Sequence, residues 1–104
     1  MIRVTVLYPN TEGGNFDLDY YINKHIPMAS EALKPYGLSK VEVDKGISDT
    51  DPNAPPQYMV MAFLTFDTVD NVHEGFKATG RQVMGDVPNF TNIKPQFQIN
   101  EIQG

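Results

Sequence analysis

The chain has 104 residues, no cysteine and a net charge of −5. That length points to one domain with a modest core, and the missing thiols exclude disulfide and thiolate chemistry. The acidic balance argues against a nucleic-acid partner, because phosphate binding wants a basic face.

Ile2 to Tyr8 alternates, with Ile2, Val4, Val6 and Tyr8 on one face and Arg3, Thr5 and Leu7 on the other, which predicts a strand. No charged leader or long apolar run precedes it. This argues against a signal peptide or a membrane contact, and a cytoplasmic protein is expected. Pro9 to Asn15 reads as a loop. Its Gly13-Gly14 pair has the form of a phosphate cradle, but Glu12 and Asp17 flank it with the wrong charge.

A helix follows, with Asp17 as its N-cap. Leu18, Tyr21, Ile22, Ile26, Ala29, Ala32 and Leu33 recur at helical spacing and define an inward face. His25, one of two histidines, falls on that face four residues after Tyr21, close enough for the two side chains to touch. Pro27 has no amide hydrogen for the carbonyl of Asn23 and biases Ile26 away from helical angles. A kink or short break is therefore expected at His25-Ile26, then a second helical piece from Pro27 to about Lys34. An inward histidine beside broken backbone hints at a site. The competing reading is a core histidine satisfied by one structural hydrogen bond. The proline and the tyrosine pair Tyr20-Tyr21 favour the site.

Gly37 is placed as a left-handed cap after Pro35-Tyr36. Leu38 to Ile47 reads as an edge strand carrying Val41 and Val43 on one face. Ser48 to Pro56 has three prolines and reads as a loop; it lacks the glycine and distal glutamate of a calcium site. Tyr58 to Phe66 is a strand apolar on both faces. The helices can cover only one of them, so a second copy of the chain is expected on the other. From Asp67 to Asp86, Val69, Val72, Phe76, Val83 and Val87 form a helical stripe capped by Asp67 or Thr68. Gly75, Gly80 and Gly85 predict two short helices joined near Thr79-Gly80, and His73 reads as a surface residue. Pro88 to Asn92 is a turn, and Asn89-Phe90-Thr91 matches a glycosylation sequon that carries no meaning in a cytoplasmic chain. Pro95 to Ile102 is the last strand, with Phe97 and Ile99 on one face. The order is strand, helix, strand, strand, helix, strand: an α+β, ferredoxin-like βαββαβ antiparallel sheet with helices on one face, pairing through its bare face as a dimeric α+β barrel.

Val6-Leu7-Tyr8-Pro9, Phe16-Asp17-Leu18-Asp19-Tyr20-Tyr21, Lys24-His25-Ile26-Pro27-Met28 and Asp86-Val87-Pro88-Asn89-Phe90-Thr91-Asn92 resemble the EthD family, named for ethyl tert-butyl ether degradation. The likeness runs from the first strand to the last, so the whole chain, 1–104, is read as one such domain. It implies a homodimeric α+β barrel. EthD-like proteins accompany a haem monooxygenase system, and many are described as oxidoreductases. The wider superfamily acts on small ring compounds without cofactors, as isomerases, cyclases, decarboxylases or monooxygenases, and a histidine on the first helix moves protons in several of them. That role would fall on His25. No nucleotide fingerprint or redox residue supports a reductase.

Two functions stay open at this point, beside a purely structural reading with a filled core and no pocket. In one, an apolar pocket walled by Tyr21, Ile26, Phe63, Phe66 and Phe90 takes a small, ring-containing molecule. His25 exchanges a proton with it, and Tyr20 or Tyr21 holds its oxygen. In the other, the pocket only binds or shuttles the molecule for a partner enzyme. Neither requires a cofactor or a metal, and two separated histidines make a poor ligand set.

Overall fold

The computed structural model describes residues 1–104. Four strands, β1 (Ile2–Pro9), β2 (Leu38–Lys45), β3 (Tyr58–Phe66) and β4 (Gln96–Glu101), form one antiparallel sheet in the order β2-β3-β1-β4. Every pairing in it is antiparallel. Two helical segments connect β1 to β2 and β3 to β4, which is the ferredoxin-like α+β arrangement.

Register decides which face each side chain serves. Val4 pairs with Leu64 and Ile99, and Val6 with Ala62 and Phe97. These side chains share the helix-covered face, where Val4, Ala62 and Phe66 are completely buried. Arg3, Thr5 and Leu7 point the other way, with Met61 and Phe63 of β3. Phe63 therefore lies on the face opposite His25, and the expectation that it walls the same pocket is corrected. The sequence could not separate the two faces, because β3 is apolar on both. Phe66 sits on the helix face, but it pairs with Ile2 at the far end of β1 from Tyr8 and packs edge-on to Phe76 at 6.3 Å. It is a core residue and lines neither chamber described below.

The first helical segment does not break at Pro27. It comprises α1 (Leu18–Tyr20), a π-helical turn over Tyr21–His25, and α2 (Ile26–Leu33). Ile26 keeps helical angles, φ −61° and ψ −45°, and its amide donates to the carbonyl of Tyr21, five residues back. The widened turn, with one residue more than an α-turn, accommodates the ring that would otherwise crowd the preceding carbonyls. It also rotates the face. Tyr21, His25, Ala29 and Leu33 are buried, whereas Ile22, expected inward, is 42% exposed. Asp17 caps the segment through Tyr20 N at 3.0 Å, and Gly37 closes it at φ +90°, both as expected.

The second segment, α3 (Val69–Gly85), is one unbroken helix of 17 residues capped by Thr68, not two short ones. Gly75 is buried because α2 crosses there: a Cβ at that position would come within 3.0 Å of Leu33 and 3.1 Å of Tyr36. The close approach of the two helices offsets the intrinsic helix cost of glycine, about 1 kcal/mol. Val69 is 42% exposed and drops out of the core stripe, which runs instead through Val72, Gly75, Phe76 and Val83. No helix is long and apolar enough to cross a membrane.

Candidate functional site

The loop before α1 is stitched to the turn after α3. Asp17 N donates to Phe90 O at 2.7 Å, and Asn15 N donates to Asn92 Oδ1 at 2.9 Å. Asn92 in turn donates from Nδ2 to Gly13 O at 3.1 Å, and Thr91 Oγ1 donates to Asn15 O at 2.5 Å. This clamp uses the residues of the apparent sequon for structure. It also brings two segments more than 60 residues apart into register.

The result is a polar cluster at the π-helical turn. His25, 4% exposed, has Nδ1 2.9 Å from Asp86 Oδ2. The other carboxylate oxygen of Asp86 accepts from Tyr20 Oη at 2.7 Å and from Asn89 Nδ2 at 2.9 Å. Burial pushes the Asp86 carboxyl up, but the hydrogen bonds from Asn89, Tyr20 and His25 outweigh it and hold the group below its ordinary value. The bond to Asp86 raises the Tyr20 phenol. An ionised carboxylate can only accept, so Nδ1 carries the proton, and Nε2 is left as the acceptor nitrogen. Nε2 makes no hydrogen bond within the chain.

Aromatic rings enclose His25. Tyr21 stacks on it at 5.2 Å and 14°, and Phe90 lies 4.6 Å away. Tyr8 and Phe16 extend the cluster. Burial pushes the Tyr8 phenol up to about 12. It raises Tyr21 still further, helped by the neighbouring Tyr8. Both phenols therefore stay protonated near neutrality.

Two neighbouring spaces adjoin this cluster. An inner chamber of about 40 Å³ is lined by His25, Tyr21, Tyr8, Ile26 and Val87 among others. An outer cavity of about 740 Å³ lies between α3 and β4, against Val4, Thr79, Gly80 and Ile99. Of the expected site residues, His25, Tyr21 and Ile26 line the inner chamber, and Phe90 packs on His25. Tyr20 reaches Asp86 but lines neither space. The geometry thus gives Tyr20 a hold on Asp86 rather than a contact with a ligand.

The EthD domain family matches residues 15–94, a span that includes Tyr20, Tyr21, His25, Asp86 and Phe90. The chain belongs to the EthD family. An EthD-like protein from Ralstonia eutropha JMP134 is 35% identical, with a TM-score of 0.90 over 96% of this chain and 89% of that one. An ethyl tert-butyl ether degradation (EthD) family protein from Bacillus halodurans C-125 is 19% identical, with a TM-score of 0.68 over 99% of each chain. A dimeric ferredoxin-like protein from an uncultured marine organism shares the fold at 7% identity, with a TM-score of 0.60 over 99% of this chain and 94% of that one. No curated protein matches the sequence.

Asp86 is the site residue of this EthD-family chain that sequence reasoning missed. Its one signal was its position as first residue of the segment Asp86 to Asn92, directly after α3. Its ionisation predicts a pH effect. Because its folded pKa is depressed, the stability it contributes is fully present above the unfolded carboxyl value, about 4, and is lost as pH falls through the lower folded value. The melting-temperature difference between the native chain and Asp86→Asn should therefore shrink as pH falls below that value. A difference independent of pH down to acid unfolding would show that the carboxylate charge is not stabilised by its donors.

Proposed function

We propose that this EthD-family domain binds a small apolar molecule in the pocket between α3 and the sheet, and that His25 exchanges a proton with it. The observation that carries this reading is the His25–Asp86 pair at 2.9 Å, which leaves Nε2 unpartnered in a histidine that lines the inner chamber. Asp86 fixes the tautomer and stabilises the imidazolium when Nε2 takes a proton. Tyr20 and Asn89 hold Asp86 in turn. At an acidic carbon next to a carbonyl, the C–H electron pair would move into an enolate, and the proton would go to Nε2. Its return to another atom gives isomerisation; in a decarboxylation the C–C pair would instead become the enolate as carbon dioxide leaves, and His25 would pass the carboxyl proton to carbon. The phenols of Tyr21 and Tyr8, kept neutral by burial, are donors suited to the enolate oxygen. The test is a thermal-shift screen against ring compounds followed by turnover of hits with His25→Ala. Unchanged turnover in that variant would remove the proton-transfer role and leave a binding or accessory protein to a monooxygenase system.

The same reading includes a homodimer through the open sheet face. Leu7, Met61 and Phe63 are half-buried there. Phe63→Asp should shift the light-scattering mass from two chains to one while ligand binding on the helix side persists. A native chain that is already monomeric at micromolar concentration would remove the dimer.

A further inference from the structure

The two spaces share four walls: Phe76, Val83, Met84 and Phe97. They are therefore neighbours, with those side chains as the neck between them and His25 in the smaller space. About 40 Å³ admits one hydroxyl-sized group, whereas about 740 Å³ falls in the range of a drug-sized body. The two chambers thus demand very different widths from the two ends of one ligand.

Charge narrows the class further. No Lys or Arg lines either chamber, and the carboxylate of Asp86 stands directly behind His25. An anion pushed through the neck would lose water and gain no counter-charge. A cation would also lose water and meet no carboxylate, because Asp86 lines neither chamber. The polar groups of the outer cavity are also engaged with the chain: Thr79 Oγ1 donates to Gly75 O at 2.8 Å, and Gln98 donates to Asn100 at 2.8 Å.

We propose that the ligand is an uncharged molecule with a broad apolar body and one slim terminus, a phenolic or enolic hydroxyl, which passes the neck and hydrogen-bonds to His25 Nε2. This rests on the reading of His25 as the proton-exchanging group. The four neck residues then determine specificity, since they decide which end of a ligand reaches the imidazole.

The probes are 2-naphthol, naphthalene and 2-naphthoate, which share one body and differ at one terminus. Their affinities for the full chain are measured by equilibrium dialysis at neutral pH. 2-Naphthol should bind about tenfold tighter than naphthalene, through one added hydrogen bond. It should exceed 2-naphthoate by at least about tenfold, because the carboxylate is desolvated without a partner. In His25→Ala, 2-naphthol should fall to the level of naphthalene, and naphthalene itself should change little. Gly80→Phe, whose added Cβ meets nothing within 4 Å, fills the outer cavity and should weaken all three probes. Naphthoate binding as tightly as naphthol, equal affinities for naphthol and naphthalene, or no binding by any probe would overturn the proposal. Tight naphthoate binding, combined with a turnover that needs His25, would overturn the ligand class and spare the proton-transfer reading. The expected naphthol preference with a turnover indifferent to His25→Ala would do the reverse.

Discussion

His25→Ala is expected to lower turnover of a bound substrate by about 10²–10⁴-fold, the range that a positioned general base supplies. Ligand affinity should fall far less, because most of the pocket wall is apolar and untouched. The effect belongs to Nε2, and three features make that nitrogen available. The π-helical turn over Tyr21–His25 directs the ring inward, Asp86 occupies Nδ1 at 2.9 Å, and Tyr21 and Phe90 both pack against the imidazole. Asp86→Asn keeps the shape but lets the amide donate to Nδ1, which favours the tautomer with the proton on Nε2. That variant should also lose turnover while retaining the ligand, and the ring-nitrogen signals in a ¹⁵N spectrum should report the change of tautomer. A spectrum showing the same tautomer in both proteins would remove Asp86 as the positioning residue. Full turnover in His25→Ala would remove the base itself.

Phe66→Ala is expected to cost about 3–5 kcal/mol of stability, the usual range for truncating a buried phenylalanine. Phe66 has no exposed surface. It joins β1 and β2 through its pairings with Ile2 and Leu38, and it meets α3 through Phe76. Domains of this kind are stable by only about 5–15 kcal/mol, so the variant should unfold at a much lower urea midpoint. Where it remains folded, its ligand affinity should match the native chain, because Phe66 lines neither chamber. A small stability loss with a large affinity loss would instead restore the sequence-based view of Phe66 as a ligand contact.

The features legible in the sequence were those written over three or four neighbouring residues. Asp17, and Asp67 or Thr68, read as caps because a short acceptor before a helical run satisfies free amides of the first turn. Gly37 read as a left-handed stop, and Tyr21 and His25 read as neighbours from spacing alone. The reading of Pro27 identified the right place but the wrong form. The sequence shows that an α-turn is under strain there. It does not show whether the chain breaks or inserts a residue, since the buried packing of Tyr21, His25 and Ala29 helps to settle that. The continuity of α3 was hidden for a related reason: Gly75 weakens an isolated helix and strengthens a pair of helices in close contact.

From the residues alone came the order of strands and helices, the ferredoxin-like class, the family likeness and the choice of His25, all consequences of local periodicity and short motifs. Tertiary structure alone decided that Asp86, 61 residues from His25, pairs with it, that Phe63 lies on the opposite sheet face, and that a wide and a narrow space adjoin one another. Each of these depends on register or on the meeting of distant segments. On a strand apolar on both faces, alternation carries no information about which face is covered, and a shift of one residue would exchange them. The partner of a histidine is set by how the loop from Asn15 and the turn through Asn92 close on one another, a long-range event on which the local pattern is silent.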